Sequence, residues 1–190
     1  VQTCALPIFC SINLTKSTII RMQPRDFHFN RHFEITRILC HDQFLYVYIA
    51  DYDYTTSTVY KCVVEGSGLR LVQKCTLNGT YVLGPKLAVG NGQILQYYKR
   101  NPYINIIDSN TMKLLSTVIL QHFAIDIVVS KDNRLHVATD HGVHVYTTDG
   151  ACTGQSYLHG WECDSITCTS NGYAVIAYKD HESYVVIMSN

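Results

Sequence analysis

The sequence predicts an all-β fold, a β-propeller of four-stranded blades, and three observations carry that prediction. No stretch of 12 or more residues spaces its apolar side chains at intervals of three and four, so helix signals are nearly absent. Short β-branched or aromatic runs recur instead, each closed by a turn signal. These runs group in fours, and the groups begin near residues 36, 86, 124 and 164. The resulting period of about 40 residues is that of a propeller blade.

The first group comprises Thr36 to Cys40, Phe44 to Ala50, Ser57 to Val64 and Leu69 to Leu77. Lys86 to Val89, Gln93 to Tyr98, Tyr103 to Ile107 and Lys113 to Leu120 form the second. The third has Ala124 to Val129, Arg134 to Thr139, Gly142 to Thr147 and Gly154 to Leu158. The fourth shows Asp164 to Cys168, Tyr173 to Ala177 and Tyr184 to Met188, and lacks an outer strand. The first reversal of each group falls on polar residues: His41-Asp42-Gln43, Asn91-Gly92, Lys131-Asp132-Asn133 and Ser170-Asn171-Gly172. Asn, Asp and Gly recur there because a tight reversal needs residues that tolerate positive φ. A blade has two apolar faces and must stack on neighbours to bury both, so its inner strand is apolar on both sides. Ile125, Ile127, Val128 and Val129 have that character. A β-sandwich shares the short strands and polar turns but leaves the register of about 40 residues unexplained.

These groups place blades at 36–80, 85–120, 124–160 and 163–190 within a single domain or propeller fragment. The chain opens on Val1 and stops directly after a strand-like run. Either residues 17–23 supply the missing strand and close a ring of four blades, or residues 1–35 end an earlier blade. In the second case the chain is part of a larger ring, truncated or split between chains.

Residues 131 to 150, from Lys131-Asp132-Asn133 through Ala138-Thr139 and Gly142 to Asp149-Gly150, resemble an NHL-type or related propeller repeat. Asn133 stands where that repeat usually has its first Gly. Asn171 to Met188 and Ile49-Ala50-Asp51 match more loosely. The resemblance implies a binding module for protein or RNA and assigns no catalytic residue.

Charge and motifs narrow the function further. Fifteen Lys and Arg balance 15 Asp and Glu, and 16% charged residues leave no basic footprint for nucleic acid. Lys86, Lys99 and Arg100 are too few for a phosphate-tracking patch. No nucleophile elbow, phosphate loop or zinc-protease helix occurs, so catalysis has no support in the sequence and no cofactor is expected. The reading is a noncatalytic protein-binding propeller. A carbohydrate-binding or glycan-processing propeller is the first alternative, and an NHL-like RNA binder the second. The partner is another protein, a glycan being open, with assembly onto another propeller fragment also in play.

Eight Cys and two sequons, at Asn13 and Asn78, point to a secreted or cell-surface glycoprotein, against an intracellular protein with free thiols. Cys62 and Cys75 flank the turn Glu65-Gly66-Ser67-Gly68 and would lie opposite each other if it centres near residue 68. Cys4 with Cys10, and Cys152 with Cys163 or Cys168, are the other disulfide candidates. Strand alternation predicts His136 and His144 on one side with Tyr146, where His122 or Asp126 would be a third metal ligand; ordinary packing is the competing account. Asp51 and Asp53 alternate like calcium ligands but lack the rest of a calcium loop. Trp161 reads as a wedge between blades. Tyr52, Tyr54, Tyr98, Arg100, Asn101 and Tyr103 sit at or beside polar connections and are the expected binding residues, because Tyr combines rigid contact area with a hydroxyl.

Overall fold

The computed structural model describes residues 33–51, 56–66, 68–78, 85–169 and 171–189. Among them lie fifteen strands in four antiparallel sheets, each assembled from consecutive strands. The first sheet holds β1 (Phe33–His41), β2 (Phe44–Asp51), β3 (Thr56–Glu65) and β4 (Gly68–Asn78). The second holds β5 (Pro85–Gly90), β6 (Gln93–Tyr98), β7 (Asn101–Asp108) and β8 (Leu114–Ala124). In the third are β9 (Asp126–Val129), β10 (Arg134–Thr139), β11 (Gly142–Thr147) and β12 (Cys152–Tyr157). The fourth has three: β13 (Glu162–Thr169), β14 (Gly172–Lys179) and β15 (Glu182–Ser189).

Polar reversals produce the hairpins as their chemistry dictates. Asp42, Asn91 and Asn133 take φ of 53°, 48° and 62°, left-handed values that Asn and Asp tolerate better than other side chains. Each hairpin leaves alternate side chains on opposite faces, and the sheets bury those faces against one another. Tyr48, Val59, Leu87, Ile94 and Ile107 fill the seam between the first and second sheets. Leu95, Tyr97, Ile104, Ile127, Leu135 and Tyr146 fill the next. Ala138, Val143, Ile166, Tyr173 and Val175 fill the seam between the third and fourth. Val47, Ile49, Tyr60 and Cys62 are buried on the remaining face of the first sheet. On the fourth sheet, by contrast, Ile176, Tyr178, Val185 and Ile187 are exposed.

The first strand of each sheet, β1, β5, β9 and β13, lies against the first strand of the next. Face-to-face sheets whose leading strands adjoin make a propeller-like arrangement. The approach is tight at Gly90, where a Cβ would sit 2.7 Å from the Cβ of Val129 on β9.

One carboxylate joins three sheets at this centre. Asp126, buried on β9, accepts from the Tyr97 hydroxyl at 2.7 Å and from Lys86 Nζ at 3.3 Å, both on the second sheet. Its other oxygen accepts from the Ser165 hydroxyl at 2.9 Å and the Ile166 amide at 3.1 Å on the fourth. Tyr97 in turn accepts from the Ile127 amide at 3.0 Å. Burial, then the adjoining Asp126 charge, holds the Tyr97 phenol well above its ordinary pKa.

Candidate functional site

Arg100, Asn101 and Tyr103 come together on the second sheet. The β6–β7 turn passes through Arg100, whose φ of 61° is left-handed and whose amide donates to the Ala124 carbonyl at 2.7 Å. Asn101 Oδ1 accepts from the Tyr103 amide at 2.8 Å and so aims the start of β7. Tyr103 pairs with Ile119 on the outermost strand β8. From Val118 onward β8 alternates: Val118, Leu120 and Ala124 point into the seam with the third sheet, while Ile119, Gln121 and Phe123 point out. Tyr103 is 51% exposed, Ile119 62% and Phe123 57%. Ile119 and Phe123 carried no sequence signal for binding. Only the observed register of β8 turns them outward beside Tyr103.

Tyr98 does not join this patch. It is only 4% exposed, and its hydroxyl lies 3.0 Å from that of Tyr48 on the first sheet. Gln96 Nε2 donates to both, reaching Tyr48 at 2.6 Å. Asn105 Nδ2 donates to Gln96 Oε1 at 2.6 Å, and the Thr117 hydroxyl to Asn105 Oδ1 at 2.6 Å. A buried phenol must satisfy its hydroxyl. Tyr98 therefore fastens two sheets together instead of facing a partner. Tyr52, Tyr54 and Asp53 lie outside the described residues, as do Cys4, Cys10, Asn13 and residues 17–23. Asn78 is the last residue of β4, and the rest of its sequon is likewise outside them.

The register corrects the expected Cys62–Cys75 disulfide. The turn is centred two residues earlier than that pairing needs, since Glu65 pairs with Gly68, and a bulge follows at Lys61/Cys62. Cys62 therefore faces Leu71 and Cys75 faces Val59. Their side chains enter cores on opposite faces of the first sheet, Cys75 with Tyr48 and Cys62 with Val47. Cys152, Cys163 and Cys168 are also free thiols, Cys163 buried and the other two exposed. Burial pushes the Cys62 and Cys163 thiols up to about 11.

His136 and His144 are on opposite faces too. The β10–β11 turn has two residues, so His136 pairs with Val145 and Val137 with His144. His144 does share a side with Tyr146, and His122 does arrive from the second sheet, stacking on His144 with centroids 3.8 Å apart. His122 Nδ1 lies 2.6 Å from the Tyr146 hydroxyl. Burial, then the His122 ring, lowers the His144 pKa. Among the described residues no three His, Cys, Asp or Glu are grouped to hold a metal ion. The imidazoles are packing elements of the seam between the second and third sheets.

His136 occupies the opposite seam, in the wall of a cleft of about 690 Å³ between the third and fourth sheets. Its ring stacks on Tyr173 at 4.1 Å and lies parallel to Tyr157 at 6.3 Å. Lys131, Asp132, Arg134 and Gln155 edge the cleft, and Ile187 and Met188 complete its lining. Arg134 Nε lies 3.1 Å from Asp132, and its Nη1 donates to Gln155 Oε1 at 2.8 Å. Burial lowers the His136 pKa, which keeps the ring neutral near pH 7. Trp161 flanks the same seam and meets Tyr184 edge-on at 5.1 Å.

No protein-family model matches this chain, and no curated protein sequence does either. Solved structures match it as folds. The chain is similar to apo AztD from Citrobacter koseri at 12% identity with a TM-score of 0.50, over 82% of this chain and 49% of that one. It is similar to the Pan2 WD40 domain of Neurospora crassa at 12% identity with a TM-score of 0.54, over 80% of this chain and 46% of that one. It thus spans about half the length of the chains it matches. The likeness is one of fold, to β-propellers of the WD40-like kind in general, and it does not single out NHL-type repeats.

Proposed function

We propose that this chain is a noncatalytic protein-binding propeller domain whose contact surface is the edge of the second sheet. The observation that carries this reading is the exposed patch of Tyr103, Ile119 and Phe123, rimmed by Arg100 and Asn101. Aromatic and aliphatic side chains more than half exposed on adjacent strands, with a polar border, have the composition of a protein interface. The rigid β7–β8 pairing presents them without the entropy loss of ordering a loop. We place the domain at the cell surface or outside the cell, on the two sequons at Asn13 and Asn78. The free thiols among the described cysteines lend that placement no support. No helix among the described residues is long and apolar enough to cross a membrane.

The test compares the wild-type chain with Ile119→Asp and Tyr103→Ala as bait, followed by direct binding of any captured protein in purified form. A partner that binds the wild type and is lost with both variants supports the reading. Captured proteins that bind variant and wild type alike refute the assigned surface. Intact mass before and after deglycosylation tests the compartment separately.

A further inference from the structure

We propose that the cleft between the third and fourth sheets binds a planar apolar group carrying a negative charge, an aromatic carboxylate, either free or displayed by an acidic peptide. This site is separate from the second-sheet patch and does not depend on it. Its volume of about 690 Å³ suits a small ligand. Three aromatic walls converge there from different strands: His136 on β10, Tyr157 on β12 and Tyr173 on β14. Tyr157 lies only 4° from parallel with His136 and is 39% exposed, so it offers a ring face for a flat ligand to stack on.

Charge at the rim selects the ligand further. The one carboxylate, Asp132, is already taken up by Arg134 Nε and the Ser130 hydroxyl. Arg134 spends a second donor on Gln155. Lys131 makes no ion pair among the described residues, leaving one positive charge in excess over the aromatic walls. His136 is 5% exposed, and its Nδ1 has no hydrogen-bond partner, an unfilled position that protein interiors rarely carry. A cation lining a cleft with aromatic walls and a neutral imidazole matches an anionic aromatic better than a neutral sugar, which needs paired hydrogen-bonding groups in place of a net charge.

Calorimetric titration of the chain with 4-hydroxyphenylacetate, its neutral amide and methyl β-glucopyranoside tests this. The acid is expected to bind, and the amide to bind roughly three- to fivefold more weakly, the effect of one partly solvated charge. Lys131→Gln is expected to weaken the acid by that same factor and leave the amide unchanged. Tyr157→Ala is expected to weaken both at least about tenfold. The acetylated peptide Glu-Tyr-Glu amide distinguishes the source: binding of peptide without the free acid makes the ligand a polypeptide, and binding of both admits a free acid. Both substituted side chains are solvent-accessible at the cleft, and melting temperatures equal to wild type verify that each variant folds. Tyr103→Ala is expected to leave the titration unchanged. The assignment is overturned by no heat from the peptide together with no heat at about 10 mM acid, beyond the weak limit for a fragment this size. Equal affinity for acid and amide, tighter binding of the glucoside, or full binding by Tyr157→Ala also overturns it.

Discussion

Replacing Asp126 by Ala should unfasten three sheets at once. The carboxylate is 3% exposed and accepts from Tyr97, Lys86, Ser165 and Ile166. Alanine would strand the Tyr97 hydroxyl proton and the Ile166 amide in the interior, each costing about 1–3 kcal/mol. Lys86 Nζ, its side chain 19% exposed, would lose its partner but regain some water. The sum is about 4 kcal/mol, a large share of the roughly 5–15 kcal/mol that holds a domain together. For a chain of this size that lowers the melting temperature by roughly 8–16 °C. Asp126→Asn keeps one acceptor but points an amide at a donor, and should cost about half as much. Urea unfolding followed by circular dichroism measures both, and a cycle with Tyr97→Phe should return a coupling of about 1–2 kcal/mol. A loss under about 1 kcal/mol for Asp126→Ala, with an unchanged urea dependence, would refute the view that this carboxylate fastens the seams.

Four further outcomes follow from the same geometry. Tyr98→Phe should destabilise by about 1–2 kcal/mol because it removes a buried hydroxyl to which Gln96 Nε2 donates, whereas Tyr103→Ala should stay within about 0.5 kcal/mol in the same assay. Gly142→Ala should cost about 2 kcal/mol or more by denaturation, since φ there is 129° and the added Cβ would meet the Tyr157 carbonyl at 2.6 Å. His136 and His144 have pKa values lowered from 6.5 by burial, so the unfolded chain binds more protons and stability should fall as pH drops below about 6.5. Melting curves between pH 7.5 and about 5.5 check this before carboxylates titrate, and a flat profile would contradict it. Native labelling with a thiol reagent should modify exposed Cys152 quickly and spare buried Cys62 and Cys163, whose thiols sit at about 11; prompt modification of all three would contradict the packing.

Strand positions were legible because alternation and turn chemistry are local. Asn91-Gly92 and Asp42 announced reversals that the chain makes where expected. Pairing across a hairpin was less legible, since it depends on the turn to a single residue. A one-residue bulge at Lys61/Cys62 put Cys62 and Cys75 on opposite faces, and the two-residue turn at Asp140-His141 did the same to His136 and His144. Burial of Tyr98 was illegible, because its partner Tyr48 lies fifty residues away on another sheet. Asp126 did carry a signal, as a lone acid among Ile125, Ile127 and Val128. An acid inside an apolar strand indicates buried donors nearby more simply than it indicates a metal ligand. The cleft could not be found from sequence, because Tyr157 and Tyr173 meet only after two sheets pack.

The consecutive order of strands within every sheet bears on how the molecule assembles. Each sheet closes through hairpins between sequence neighbours, so most of its pairing carries a small loop-closure cost and forms on the fast timescale of local structure. What remains slow is the mating of finished sheets. Asp126 cannot acquire its donors until the second and fourth sheets have both arrived beside the third. During synthesis, sheets would therefore emerge one after another and wait with an apolar face bare, an interval in which chaperones and wrong partners compete for the same surface.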